Sequence, residues 1–434
     1  MDLLMGLGKT GKSLIQYYEK KGLPFILYDG NKELLASYKN KGYSVLDVAN
    51  IHMDSIEMAV KSPGIPPQDE VVMVCNENNI PVLSDIGFFY REVKPKECIA
   101  ITGTNGKTTV TKMIGDILKK FDPIIAGNVG TPVMECVSQE EKLYVLELSS
   151  YQLEHSGSLK PSIALILNIE EDHLSWHQSF ANYKKAKYNI VRNQDSNDYV
   201  ILNMDDPNCR EISSKSNQLF FSMDEKKGAH AYVSGGLIEV RNGTSTYSIP
   251  IEKLPYQEKH NIQNYMAAFL VASIYGLPLS EVWKMIERFR LDPHRMEQVG
   301  VVRGRIIIDD SKATNPSATI SALQSVEKST ILLLGGFDKG TRMDELLKLA
   351  NEKTKKMIFF GGIGKKLASL AKEMNLEYEL CSTLEDAAHK AMEISSLGDS
   401  ILLSPGASSF DEFQSYEHRG MEFRRYIGVG NEEA

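Results

Sequence analysis

Cysteine is sparse in this chain. The five present, Cys75, Cys98, Cys136, Cys209 and Cys381, are scattered and form no CxxC pair. That excludes a disulfide framework and a cysteine-based zinc site, and it reads as reduced thiols in a cytoplasm. Positive charge is not in excess either. Against 49 Lys and Arg stand 57 Asp and Glu, a net charge of −8. Bulk charge therefore draws the chain to neither nucleic acid nor anionic lipid, and any phosphate binding must come from local geometry. Apolar runs long enough to span a bilayer are missing. The opening MDLLMGLGKTGKS has no basic leader before an apolar core, so it does not read as a secretory signal. Tandem repeats and low-complexity stretches are lacking too. What remains is an ordinary globular balance, 42% hydrophobic and 24% charged over 434 residues, which excludes disordered, collagenous and coiled-coil chains. At roughly 150 residues per domain, that length predicts about three domains.

The apolar pattern divides the chain into residues 1–93, 94–294 and 295–434. The first unit alternates strands Leu3–Met5, Phe25–Tyr28 and Met58–Val60 with helical patterns. A charged, proline-bearing stretch, Glu92 to Glu97, reads as a linker. The second unit opens on strand Cys98–Thr102. Val110, Met113, Ile114, Ile117 and Leu118 then mark one face of a helix. Buried strands are expected at Leu143–Leu148 and Ile163–Ile169. Ser234-Gly235-Gly236 and Arg241-Asn242-Gly243 read as tight turns in a small antiparallel patch, and a helix runs from about Ile262 to Tyr275. The third unit alternates again, with strands at Ile306–Asp309, Ile331–Leu334, Met357–Phe360 and Ile401–Leu403. The fold class is α/β: Rossmann-like units at both ends and a central P-loop-type ATPase unit with a mostly parallel sheet. Ligands of such sheets bind beyond the carboxyl ends of the strands, where all three units carry glycines and polar residues, so one site between three domains is expected.

The sharpest motif is Thr102-Gly103-Thr104-Asn105-Gly106-Lys107-Thr108-Thr109, between a buried strand and an amphipathic helix. Its glycines let backbone N–H groups approach phosphates, Lys107 supplies a cation for the β- and γ-phosphates, and Thr108 can ligate Mg²⁺. The strict GxxxxGK[ST] pattern fails because Ile101 stands six before Lys107, so a plain glycine turn capping a helix is the alternative. Gly6-Leu7-Gly8-Lys9-Thr10-Gly11 is a full GxGxxG, with Asp29 ending the next strand. Alone it predicts a dinucleotide site with the acid on a ribose hydroxyl, but the geometry suits any diphosphate, a nucleotide-sugar included, or a ligand-free turn. Glu147 and Asn168-Ile169-Glu170-Glu171-Asp172-His173 close two further strands. Glu147 and His173 suit Mg²⁺, while Glu170 and Glu171 read as solvated. The helix Tyr183-Lys184-Lys185-Ala186-Lys187 carries three lysines, each solvated by default. His260-Asn261-Ile262-Gln263-Asn264, His294-Arg295, Asp309 to Pro316, Gly335 to Gly340 and Ser404 to Asp411 are polar segments whose members could each be turn chemistry alone.

Taken in order, GTNGKTT, ELSSYQLE, NIEEDH, the lysine helix, HNIQN, PHR, DSKATNP, LLLGG with Lys339 and SPGASSFDEF closely resemble the Mur ligases of peptidoglycan synthesis over nearly the whole chain. DSKATNP and the serine-rich final loop look like the member that adds D-glutamate. The resemblance implies a cytoplasmic, ATP-dependent ligase. It would join D-glutamate to UDP-N-acetylmuramoyl-L-alanine through an acyl phosphate, within cell-wall biogenesis, cell shape and cell division. It further implies that Gly103, Thr104, Asn105, Gly106, Lys107, Thr108 and Thr109 hold ATP with Asn264, Arg295 and Asp310. Two Mg²⁺ ions, replaceable by Mn²⁺, would sit on Thr108, Glu147, His173 and a carbamylated Lys187. The resemblance implies Lys107, His173 and Lys187 as the catalytic set. Gly8, Lys9, Thr10, Gly30, Asn31, Ser62, Gly64 and Asn128 would hold the UDP substrate, with Pro63, Ser84 and Asp85 nearby. Thr314, Lys339, Ser409, Phe410 and Tyr416 would form the D-glutamate pocket. Lys9 stands where many relatives carry an apolar residue, and Gly406-Ala407-Ser408 departs from the usual spacer. A monomer without nucleic-acid or membrane partners is expected. The rival readings are a nicotinamide-dependent oxidoreductase, a non-catalytic nucleotide-binding protein, and a ligase adding another amino acid.

Overall fold

Short strands buried on both faces need helices above and below, and the chain supplies them by alternation. The computed structural model describes residues 1–46, 53–128, 131–137, 142–242, 245–291 and 293–429. By internal packing the chain forms two compact units. One is Met1–Ile169 with Ala181–Phe289, the other Glu170–Phe180 with Arg290–Ala434.

Among the described residues the first unit holds two sheets. Strand β1 (Asp2–Met5), helix α1 (Lys9–Lys21), β2 (Phe25–Tyr28), α2 (Lys32–Asn40), β3 (Met58–Lys61), α3 (Glu70–Glu77), β4 (Val82–Ser84) and α4 (Asp85–Val93) build a parallel sheet in the order β2-β1-β3-β4. Its order reverses beside β1, which puts the first glycine loop at a switch point. The expected linker is short, because α4 runs to Val93 and the next strand starts at Glu97.

The second sheet follows with β5 (Glu97–Thr102), α5 (Lys107–Ile117), β6 (Ile124–Gly127), β7 (Leu143–Glu147), α6 (Ser150–Glu154) and β8 (Ile163–Ile166). After α7 (Leu174–His177) come α8 (Phe180–Tyr188), β9 (Tyr199–Asn203), α9 (Pro207–Arg210), β10 (Asn217–Ser222), β11 (Ala231–Ser234), β12 (Leu237–Asn242), β13 (Ser245–Pro250), α10 (Lys259–Ile274) and α11 (Leu279–Ile286). The order is β13-β12-β11-β10-β9-β8-β5-β7-β6, antiparallel only through β11, β12 and β13. Gly235 and Gly236, both at positive φ (57° and 80°), make the two-residue turn between β11 and β12. Gly243 of the second expected turn lies outside the described residues. The five periodic residues of α5 and its C-cap, Val110 to Leu118, are all buried. β5 lies centrally between β7 and β8, so the loop after it opens where the connections part.

The second unit has one six-stranded sheet among the described residues, in the order β14-β15-β19-β16-β17-β18. Its elements are β14 (Glu297–Val302), β15 (Arg305–Asp309), α12 (Pro316–Leu323), β16 (Thr330–Gly335), α13 (Asp344–Lys353), β17 (Lys356–Phe360), α14 (Gly361–Glu373), β18 (Glu379–Leu380), α15 (Leu384–Ile394), β19 (Ser400–Gly406) and α16 (Tyr416–Ile427). Only β14 runs antiparallel, against β15. Every residue of β16 is buried, and apolar clusters cover both faces of the sheet. The last parallel strand, β19, inserts between β15 and β16, so three strand ends and their loops lie side by side.

Candidate active site

Gly106, at φ +85°, is the N-cap of helix α5, and it offers no side-chain cap. The N-terminus of the helix presents backbone N–H groups and a dipole that favour an anion. Gly106 has a second reason to be glycine: a Cβ there would lie 2.5 Å from Asn264 Oδ1 on α10. The loop is held from β8's end. Thr104 N donates to Asn168 O (2.9 Å), Asn105 N to Asn168 Oδ1 (2.8 Å), and Asn168 Nδ2 to Asn105 O (3.1 Å). Lys107 folds back over it, its Nζ donating to Gly103 O (2.8 Å) and Thr104 O (2.9 Å). Thr108 is half-buried and Thr109 buried on the following turn.

One strand over, β7 pairs Glu147 with Ile101. Glu147 is buried; Asn128 Nδ2 donates to its Oε1 (2.8 Å), while Oε2 has no partner. A carboxylate oxygen left bare in the interior costs several kcal/mol by order of magnitude unless a cation meets it. That suits a hard divalent ion beside a phosphate loop. Asn264 Nδ2 is a second buried orphan here, a donor suited to a nucleotide acceptor. Among the described residues no three His, Cys, Asp or Glu side chains cluster as a metal site by themselves.

The three lysines of α8 differ, and the expectation of solvated charge fails at one of them. Lys185 is exposed and Lys184 pairs with Glu211 (2.7 Å), but Lys187 is 1% exposed. Its Nζ donates to Gly103 O (2.8 Å) and lies 4.7 Å from the Tyr183 ring centre, and Tyr183 OH meets Thr104 Oγ1 at 3.0 Å. Helical spacing turns Lys187 inward with Tyr183.

The first glycine loop is built differently. A Cβ on Gly11 would meet Gly6 O at 1.8 Å, so the third glycine serves helix–strand approach. Gly6 sits at φ +88° and accepts Ser62 Oγ (2.9 Å). Asp29 has a structural task in this loop. Its Oδ2 accepts Leu7 N (2.7 Å) and its Oδ1 Asn31 N (2.8 Å), so the acid ties the loop's own backbone together. Asn31 Oδ1 caps α2. Around Gly8, Gly30 and Gly64 the space a Cβ would take is open, and Lys9 is exposed with Thr10 half-buried. Behind this loop Lys61 is fully buried, its Nζ on Ile65 O (2.8 Å), and burial lowers its pKa to about 8. Burial pushes the Asp85 carboxyl up to about 6 although Gln152 Nε2 donates to it (3.2 Å).

The second unit gathers the remaining candidates. Asp310 is buried, accepts Ser404 Oγ (2.7 Å) and Met296 N (3.1 Å), and burial pushes its pKa up to about 7. Arg295 Nε is buried without a partner. His294, at φ +64°, meets Asp309 Oδ2 at 2.7 Å, where Arg424 also donates (2.7 Å). Lys339 Nζ stands 3.6 Å from Asp172, and Asn315 Nδ2 donates to the same carboxylate (3.2 Å). His173, at φ +54°, starts α7; its N donates to Asp172 Oδ1 (2.8 Å). Thr314 is half-buried, Ser409 buried, Phe410 70% exposed, and the Tyr416 ring lies 5.5 Å from Lys312 Nζ. Sequence reasoning passed over Asn168, Asp172 and Arg419 as site members. Asn168 and Asp172 were visible only as parts of a motif, and no pattern marks Arg419.

Comparison with known proteins gives the same direction. Residues 101–272 match the Mur ligase middle domain and residues 294–406 the Mur ligase, glutamate ligase domain. The chain is 34% identical to the UDP-N-acetylmuramoylalanine–D-glutamate ligase of Thermoanaerobacter sp. (strain X514), covering 98% of this chain and 97% of that one. It is 33% identical to the enzyme of that name from Clostridioides difficile (strain 630), covering 97% of each. Among solved structures, MurF of Acinetobacter baumannii superposes with a TM-score of 0.61 at 21% identity, covering 86% of this chain and 87% of that one. MurF of Thermotoga maritima, in complex with ADP, gives 0.61 at 16%, covering 93% of each. At such identities the two structures speak to fold alone.

Proposed function

The chain belongs to the Mur ligase family, and from that premise we propose that it joins D-glutamate to UDP-N-acetylmuramoyl-L-alanine at the expense of ATP, as a step of peptidoglycan precursor synthesis. The observation that carries the reading is the glycine-turned start of α5, which has no side-chain cap, one strand from the bare Glu147 Oε2. A triphosphate suits the helix N-terminus and a divalent cation suits the bare carboxylate oxygen.

A carboxylate is a poor electrophile, and bringing it to a triphosphate sets anion against anion. The α5 N–H groups and Lys107 hold and neutralise the phosphates, Lys107 exchanging its present carbonyl partners for phosphate oxygens. Thr108, Glu147, His173 and Lys187 would hold Mg²⁺, which when bound offsets charge on the transferring phosphoryl group. As an ammonium Lys187 cannot ligate a cation. Its neutral amine adding CO₂ and losing a proton gives a carbamate that can, and burial against the loop suits that modification. The γ-phosphoryl group passes to the alanine carboxylate and ADP leaves. The D-glutamate amine attacks the acyl carbon, the C–O bond breaks, phosphate departs and the amine proton is lost. Asn264, Arg295 and Asp310 take the nucleotide, and the orphaned Asn264 Nδ2 and Arg295 Nε are donors ready for it. Lys339 pairs with a D-glutamate carboxylate beside Thr314, Ser409, Phe410 and Tyr416. The open glycine positions Gly8, Gly30 and Gly64, with Lys9, Thr10, Asn31, Ser62 and Asn128, take the UDP substrate. A cytoplasmic monomer fits this role. Among the described residues no helix is long and apolar enough to cross a membrane.

Phosphate release from ATP with UDP-N-acetylmuramoyl-L-alanine tests the reading. It should require D-glutamate and fall away with other amino acids. Nicotinamide reduction without phosphate release would establish the oxidoreductase instead.

A further inference from the structure

Arg419, on the second turn of α16, is the largest fully buried side chain described. Its Nε donates to Ser311 Oγ (3.0 Å), its Nη2 to Ser311 O (2.8 Å), and its Nη1 to Ala407 O and Ser408 O (3.0 Å each). Ser311 Oγ in turn donates to Tyr416 O (2.8 Å). The loop after β16 presses on the same group. At Gly336, φ +128°, a Cβ would lie 2.2 Å from Ser408 O and 2.9 Å from Arg419 Nη1, and Phe337 N donates to Ser408 O (2.8 Å). Loops leaving β15, β16 and β19 therefore meet at one guanidinium.

The hydrogen-bond partners of this buried cation are a hydroxyl and three carbonyls, none of them a carboxylate. Asp411, Asp309, Asp310 and Glu412 favour its charge only through space, and burial lowers its pKa to about 10. Holding a charge in the interior without a direct ion pair is a poor way to gain stability, and an apolar side chain would fill the volume at less cost. What an apolar group cannot do is fix several carbonyls at set angles, which the planar five-donor fork does. The loops so fixed carry the expected amino-acid pocket. Thr314 is three residues past Ser311, Lys339 three past Gly336, Ser409 and Phe410 follow Ser408, and Tyr416 accepts from Ser311.

We propose that Arg419 is a positioning residue for amino-acid recognition, holding the loops of Thr314, Lys339, Ser409, Phe410 and Tyr416 in one register. The identity of that amino acid as D-glutamate rests on the function proposed above. In Arg419→Lys the charge stays and the fork goes. The KM for D-glutamate should rise at least about tenfold, while kcat and the KM values for ATP and the UDP substrate stay within about threefold. Amide hydrogen exchange should quicken at residues 311–314 and 407–410. Ser311→Ala removes one of the four Arg419 bonds together with the Ser311 Oγ bond to Tyr416 O, and should raise the same KM about threefold. If the lysine variant does not fold, Arg419→Gln, which keeps an amide donor but loses the fork, takes its place. An unchanged KM for D-glutamate, or a parallel rise in all three, overturns the proposal. If the wild-type chain proves to use another amino acid, the function proposed above fails, and the same selectivity is read on that amino acid's KM. If none supports turnover, unchanged exchange at those loops in Arg419→Lys overturns it.

Discussion

The two glycine loops of the first unit share a plan, strand, Gly, Lys-Thr, helix, yet differ in what surrounds them. After β1, the backbone is secured by neutral and anionic groups. Asp29 takes Leu7 N, Ser62 takes Gly6 O, and Lys9 points at solvent. After β5, two lysine ammonium groups converge on Gly103 O, and a buried carboxylate one strand away keeps an oxygen bare. A glycine pattern thus specifies room for phosphate. Whether the phosphate is only gripped or also transferred depends on charges brought from other strands and helices.

That contrast can be tested from its strong side first. Lys107→Ala should cut turnover by about 10³-fold or more, since it removes the cation facing the transferred group. Circular dichroism and melting should show the fold retained, and near-normal turnover would erase the difference between the loops. Glu147→Gln should lower kcat by about 10²-fold, and it should melt no lower than wild type without divalent ions, because a bare buried charge is gone. A loss of melting temperature without metal would show that the carboxylate is paired structurally. Asp29→Asn in the first loop should act on binding alone. Losing the charged acceptor for Leu7 N is worth about 1.5 kcal/mol, which raises KM for the UDP substrate about tenfold with kcat little changed. A kcat loss equal to that of Glu147→Gln would make the loops equivalent.

The smallest effect concerns pH. Asp85 behind the first loop has its carboxyl raised from 3.8 to about 6 by burial. A raised acid contributes stability that is complete below about 3.8 and lost as pH rises through about 6. Asp85→Asn should flatten the denaturation midpoint between pH 4 and pH 6, an interval set by those two values. An unaltered slope would mean the carboxyl titrates normally.

Contiguity decided what could be read early. Thr102 to Thr109 is one uninterrupted segment, so strand, loop and helix showed together, as did the buried faces of α5 and β16. Strand β14 was missed because Glu297–Val302 is half-exposed and shifts register between Gln298 and Gly300, and β18 is only two residues long. From its own segment Lys187 read as solvent-facing, because a lysine's default is exposure and nothing in YKKAK says which of three turns inward; only the family resemblance singled it out. Asp29 suggested a ribose because the pattern gives spacing, whereas its partner is a backbone N–H 22 residues away. Arg419 gave no signal at all, since its partners lie about 110 positions upstream and in the preceding loop.

By itself the sequence determined the α/β class, the glycine loops and the motif order that places the chain among the Mur ligases, because each is written in neighbouring residues and in local backbone freedom. Tertiary structure alone decided which charges are buried. It left Glu147 half-satisfied, carried Lys187 to the mouth of β5 and set Arg419 between three loops. Desolvation and hydrogen-bond geometry depend on segments that meet only after the sheets have formed.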